Sequence, residues 1–136
     1  MNNVTISVKF RQVVKKTGKT ETYNTEELAQ LNNYLDGMYA ETNDSVFLAV
    51  KLNFMLGLRV GELVALKASD IENDMIHVVR EEIRDQITNT YEVVEHTKTN
   101  TDRFVALVSK SKKILDMLDS HGEYLFMRGS ERITSR

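Results

Sequence analysis

The chain contains no cysteine, no proline and no tryptophan. Without cysteine there is no disulfide framework and no thiolate metal site, and a reducing compartment is permitted. Without proline, linkers and kinks leave none of their usual marks. Neither sign of charge is in excess: 18 basic residues face 20 acidic ones, for a net charge of -2. A balanced chain exerts no bulk pull on polyanions, so an anion site must be local, built from a few placed cations. No apolar run reaches the ~18 residues of a membrane span. The opening MNNVTISVKF lacks the basic-then-apolar form of a signal peptide. A cytoplasmic protein with no membrane partner is expected. His77, His96, His121 and the carboxylates show no ligand spacing on a helix or hairpin, so no metal site is expected.

What is present is 136 residues, about one domain, enough to bury roughly two-thirds of the unfolded surface. Residues 1–20 are polar, with Lys15, Lys16 and Lys19 clustered near a Gly-containing turn, and read as a linker or arm. Residues 21–136 read as an α+β unit. Asn24 or Thr25 can cap a helix whose stripe is Leu28, Leu31 and Leu35, with Glu26 and Glu27 in its first turn. A second helix starts near Asn43 or Asp44, is apolar nearly all round, and stops at Gly57, the pattern of a central buried helix. A third runs from about Arg59 to Leu66. The period then changes to two: MIHVVREEIRD, YEVVEHTKT and RFVALV predict a three-stranded antiparallel meander, joined by the turns DQITNT and TKTNTD. SKSKKILDMLDSH returns to helical spacing and EYLF to an extended piece. Thr134 is a good helix cap two residues from the last, the expectation for a fragment of something longer.

Two stretches could carry chemistry. In LGLRVGELVALKASDI, helical spacing places Leu58, Val60, Leu63, Val64 and Leu66 near one apolar face, with Arg59 set among them. A guanidinium beside a core needs compensation, from a carboxylate or a bound anion. Glu62, three residues on, supplies the first answer as an ordinary ion pair, worth only ~0.5 kcal/mol when exposed. The second answer has Glu62 hold Arg59 while its remaining donors meet a phosphate in the bidentate geometry that suits arginine. The second stretch, EHTKTNTDR, is a routine hairpin tip or else a loop presenting Lys98, with Thr97, Thr99 and Arg103 able to touch a phosphate backbone.

Together, L-G-L-R-x-G-E-L-x-A-L-K-x-x-D-I, followed downstream by TKT and R-F-V-A-L, resembles the tyrosine recombinases of the phage-integrase family, over residues 24–136. In detail the chain is similar to integrases of bacterial mobile elements, including conjugative transposons. The resemblance implies a truncated catalytic domain, helices packed on the meander, from a bacterial or phage-encoded protein. Its parent enzyme would cut and rejoin double-stranded DNA through a 3'-phosphotyrosyl bond, without cofactor, as a tetramer on paired DNA sites. By position Arg59 matches the first catalytic arginine, Lys98 the hairpin lysine that protonates the leaving 5' oxygen, and Glu62 the supporting acid. Arg59, Lys98, Thr97, Thr99 and Arg103 would face DNA. The family's H-x-x-R motif, its later His or Trp and its nucleophilic tyrosine have no counterpart here. Tyr23, Tyr34, Tyr39, Tyr91 and Tyr124 all lie upstream of the nucleophile's place. The fragment alone is therefore expected to be inactive in cleavage, and to self-associate through apolar surface that its missing half would cover. Two other readings compete: a non-catalytic DNA-binding module using the same cations, and an α+β interaction domain with a helical Arg–Glu pair.

Overall fold

A computed structural model describes residues 22–118 and 122–136. The expected linker or arm over 1–20 and His121 lie outside the described residues. The described residues form four helices, α1 (Thr25–Thr42), α2 (Ser45–Leu56), α3 (Val60–Val64) and α4 (Ser109–Asp116), and seven short strands. The strands are β1 (Ile71–Glu72), β2 (Met75–Val78), β3 (Glu81–Arg84), β4 (Tyr91–Val94), β5 (Arg103–Ala106), β6 (Met127–Arg128) and β7 (Glu131–Arg132).

The helix starts follow from capping. The Asn24 carboxamide accepts from the Glu27 amide at 2.8 Å while the Glu27 carboxylate accepts from the Asn24 amide at 3.0 Å. Asp44 caps α2 by accepting from Val46 at 3.0 Å. Gly57 ends α2 at φ 66°, a left-handed position that favours glycine. The core gathers Leu48, Leu52 and Leu56 of α2 with Leu58, Leu63, Val64 and Leu66, the sheet residues Ile76 and Val78, and Ile114 of α4. Leu125, Phe126 and Ile133 complete it from the C-terminal side.

Three antiparallel strands are present, in the order β1-β2-β5. Their connection departs from a simple meander. MIHVVREEIRD is two strands, not one: β2 pairs with β5 (Ile76 opposite Val105), whereas β3 pairs with β4 in a separate hairpin (Glu82 opposite Val93) inserted between them. The break falls at Val79 and Arg80. Arg80 turns its guanidinium onto buried Asp70, at 2.7 Å, and onto Glu95, at 3.0 Å, tying the hairpin base to the short 3-10 helix Ala68–Asp70. The hairpin is tied a second time through buried Glu82, which accepts from Arg132 and from the Ser135 amide at 2.9 Å.

Two expectations on the helices are corrected. α2 is not covered all round: Val50 and Phe54 lie on a face left open among the described residues. Val60, assigned to the core face of the third helix, is 55% exposed because it occupies the outward side of the first turn of α3. Residues 131–132 form β7 against β6.

Candidate functional site

Arg59 stands at the corner between α2 and α3, and its path is fixed before its side chain is. Asn53 grips the preceding residue on both sides: its amide donates to the Leu58 carbonyl at 3.0 Å and its oxygen accepts from the Leu58 amide at 2.8 Å. Glu62 then accepts from the Arg59 amide at 2.9 Å, closing the first turn of α3. On its far side α3 rests on β3 through Gly61, where a Cβ would lie 2.8 Å from the Glu82 carbonyl oxygen. Only glycine permits that approach.

The buried charge is Glu62, not Arg59. The Glu62 side chain is fully buried, whereas that of Arg59 is 53% exposed. Compensation comes from Arg103 at the start of β5, whose Nη1 donates to Oε2 at 2.6 Å and Nη2 to Oε1 at 2.8 Å. This fork-on-carboxylate pairing is the strong form of the interaction. The Arg59 guanidinium is looser, with Nη1 3.7 Å from Oε2. The Arg103 hydrogen bonds hold the Glu62 carboxyl below the ordinary carboxylate range; burial works in the opposite direction, and the Arg59 amide adds to the lowering. Glu62 pushes the Arg103 guanidinium up in turn.

The loop between β4 and β5 carries the other expected residues. Lys98 and Thr99 are exposed at its tip. Thr97, expected at a DNA-facing surface, is instead 2% exposed. Its hydroxyl donates to the Thr101 carbonyl at 3.0 Å and accepts from the Thr101 amide at 3.2 Å, and its carbonyl accepts from Asn100 at 2.8 Å. Thr97 therefore holds the turn that presents its neighbours. Arg103, also expected to face DNA, directs its fork at Glu62.

An open cleft joins the two stretches. It is lined by Gly57 and Arg59 from the first stretch and by Thr99, Thr101, Asp102 and Arg103 from the second. Asp102 at the rim is 3.2 Å from His77 Nε2, and the His77 ring stacks on Phe104 at 4.3 Å between centroids. Sequence spacing did not mark this trio; the opposition of His77 and Phe104 depends on the β2–β5 register, which pairs strands separated by the inserted hairpin. The same holds for the bond from Arg103 to Glu62. The role of Asn53 had no signal in the sequence, since a polar residue in an apolar helix has many uses. No group of three or more potential metal ligands occurs among the described residues. No described helix is long and apolar enough to cross a membrane.

No protein-family profile matches this chain, and no curated protein matches its sequence. Solved structures do match in fold. A Tn1549 transposon integrase in complex with a circular intermediate DNA aligns with TM-score 0.66 at 17% identity, over 88% of this chain and 42% of that one. A lambda integrase tetramer bound to a Holliday junction aligns with TM-score 0.56 at 19% identity, over 89% and 34%. The XerA recombinase aligns with TM-score 0.51 at 21% identity, over 91% and 41%. The chain spans less than half the length of each. The described residues thus share the fold of part of these integrases and of the XerA recombinase.

Proposed function

We propose that this chain is part of a site-specific DNA recombinase and that the cleft receives a DNA phosphate. The observation that carries the reading is the convergence of Arg59 and the Lys98 loop on one cleft, within a fold shared with DNA-bound integrases. Arg59 is anchored through its backbone while its guanidinium stays exposed, the arrangement needed to stabilise charge developing on phosphoryl oxygens. Lys98, exposed on the loop whose Thr99 and Thr101 line the cleft, is assigned the role of proton donor to a leaving 5' oxygen. Glu62 supports Arg59 from within α3. Thr99 is placed to contact the backbone beside Lys98. The parent enzyme would bind double-stranded DNA, act through a 3'-phosphotyrosyl bond, and assemble as a tetramer on paired sites.

Arg59, Lys98 and Glu62 form an incomplete catalytic set, so the 136-residue chain binds duplex DNA but does not cleave it. The test is fluorescence anisotropy with a labelled duplex, alongside a strand-nicking assay. Binding that weakens in both Arg59→Ala and Lys98→Ala, with no nicking, supports the reading. Binding indifferent to both substitutions rejects the cleft, and nicking by the purified chain rejects the predicted inactivity.

The open face of α2 bears on association. Val50, Phe54 and Val60 are exposed around a shallow apolar groove with Leu63 at its base. A second copy of the chain covers this groove in the proposed self-association. Light scattering over a range of concentrations should show growth in mass; a monomer throughout argues against it.

A further inference from the structure

The Glu62 carboxylate has two arginines within reach, and one of them holds it. Arg103 occupies both oxygens, at 2.6 and 2.8 Å, while the Arg59 guanidinium stands off at 3.7 Å, beyond a hydrogen bond. We infer that Arg103 is a positioning residue: by saturating Glu62 it leaves the Arg59 guanidinium unclaimed and available to the cleft. The inference rests on the reading of the cleft as a phosphate site for its functional meaning, but its structural core does not.

The two arginines compete for one carboxylate. A fully buried carboxylate cannot be left without a cation, because desolvation of the bare charge costs several kcal/mol. Arg59 is already tied to Glu62 through its backbone amide, so a change of side-chain rotamer alone can bring its guanidinium inward. Arg103 prevents that capture. Its planar fork satisfies both oxygens at once, which a single ammonium does less well. Arg103 also opens β5, directly after the loop that carries Lys98. Docking of that strand therefore places the loop and releases Arg59 in one event, and a loop pulled away from the site lets Glu62 draw Arg59 in.

The experiment compares the full chain with its R103Q and R103K variants. Arginine side-chain NMR reads rotation of each guanidinium about its Cζ–Nε bond. In the unaltered chain Arg103 should rotate slowly and Arg59 freely. In R103Q, Arg59 should become the slow one, and in R103K it should remain free. An Arg59 signal unchanged in R103Q overturns the inference, whatever the chain does with DNA. The second reading is affinity for a fluorescein-labelled duplex. R103Q should weaken binding on the order of tenfold, R103K should recover most of it, and R103Q should add nothing in an R59Q background. An equal loss in the R59Q background, with a reduced salt slope, makes Arg103 a direct phosphate contact and overturns the inference. Capture of Arg59 in R103Q by a chain that binds no duplex would leave the positioning role standing and remove the phosphate reading of the cleft.

Discussion

Substituting Gly61 by alanine sets two well-defined effects against each other. Alanine is the better helix residue by about 1 kcal/mol and restricts the unfolded chain, so helix propensity alone predicts a more stable protein. The added Cβ would lie 2.8 Å from the Glu82 carbonyl oxygen and 3.6 Å from its nitrogen. The obstructing atom is backbone in β3, and that strand cannot yield easily. The Glu82 side chain is held by Arg132 and Ser135, and β3 is paired to β4. Relief requires α3 and β3 to part, and overpacking of this kind costs about 1–3 kcal/mol. Overlap with fixed backbone belongs in the upper half of that range, so the balance is a net destabilisation of about 1–2 kcal/mol. In a chain of this size the melting temperature falls by about 3–5 °C per kcal/mol. Urea titration followed by far-ultraviolet circular dichroism measures it, since the chain has no tryptophan to report by fluorescence. A Gly61→Ala chain as stable as the original, or more so, refutes the argument that close approach at this position governs how α3 is seated.

Removing the Arg103 side chain (Arg103→Ala) should cost about 2–3 kcal/mol because it strips a buried carboxylate of its main partner, whereas Arg59→Ala should stay within ~0.5 kcal/mol; equal losses in urea titration would contradict the assignment of the buried pair. The same comparison has a pH signature. Glu62 titrates below its ordinary value of 4.5, so the stabilisation is present above the unfolded-state pKa and is lost only as pH falls through the lower folded value. The unfolded state is common to both chains, so the gap between the original chain and Arg103→Ala should be full at neutral pH and shrink as acid neutralises Glu62 first in the variant, where burial acts without Arg103, and then in the original chain; a gap already closed at about pH 5.5 would be incompatible with the lowered value. Thr97→Val should cost about 1–2 kcal/mol, from two hydrogen bonds of a buried hydroxyl, and should speed hydrogen exchange at the Thr101 amide; unchanged exchange there would mean the turn does not depend on Thr97. Lys98→Ala should leave thermal stability within ~0.5 kcal/mol and lower the salt slope of duplex binding by about 1, so an unchanged slope would take Lys98 out of the interface.

What the sequence revealed, and what it hid, divides along the range of the interaction. The starts of α1 and α2 were legible because Asn24, Glu27 and Asp44 cap within a few residues of themselves, and Gly57 stops α2 for an equally local reason. Arg59 and Glu62 were recognisable as neighbours by their spacing, and the resemblance to tyrosine recombinases ran through the same stretch. The hairpin β3–β4 was hidden, since the period of two continues across Val79 and Arg80 and only the pairing of Arg80 with Asp70 and Glu95 shows the break. The partner of Glu62 was hidden too. Spacing favoured Arg59 at three residues, yet Arg103 wins from 41 residues away because strand pairing delivers its fork in the right plane. Thr97 was misplaced for a related reason: a threonine at a loop tip reads as solvent-facing until the fold of that loop is known.

The insertion of one hairpin inside the span that joins β2 to β5 also orders events in time. Residues 79–102 must be looped out before β5 can find β2, and a loop of that length is slow to close. The β3–β4 hairpin forms from neighbouring residues and shortens the free part of that loop to its two flanks. Docking of β5 is then the late step, and the bond from Arg103 to Glu62 forms with it. Arg103→Ala should accordingly steepen the rate of unfolding while leaving the refolding rate nearly unchanged, a shift of one arm of the chevron only; slowed refolding would place the contact in the transition state instead. The contact that readies the cleft is, on this view, made with the docking of β5, so a chain in which β5 has not docked cannot present Arg59.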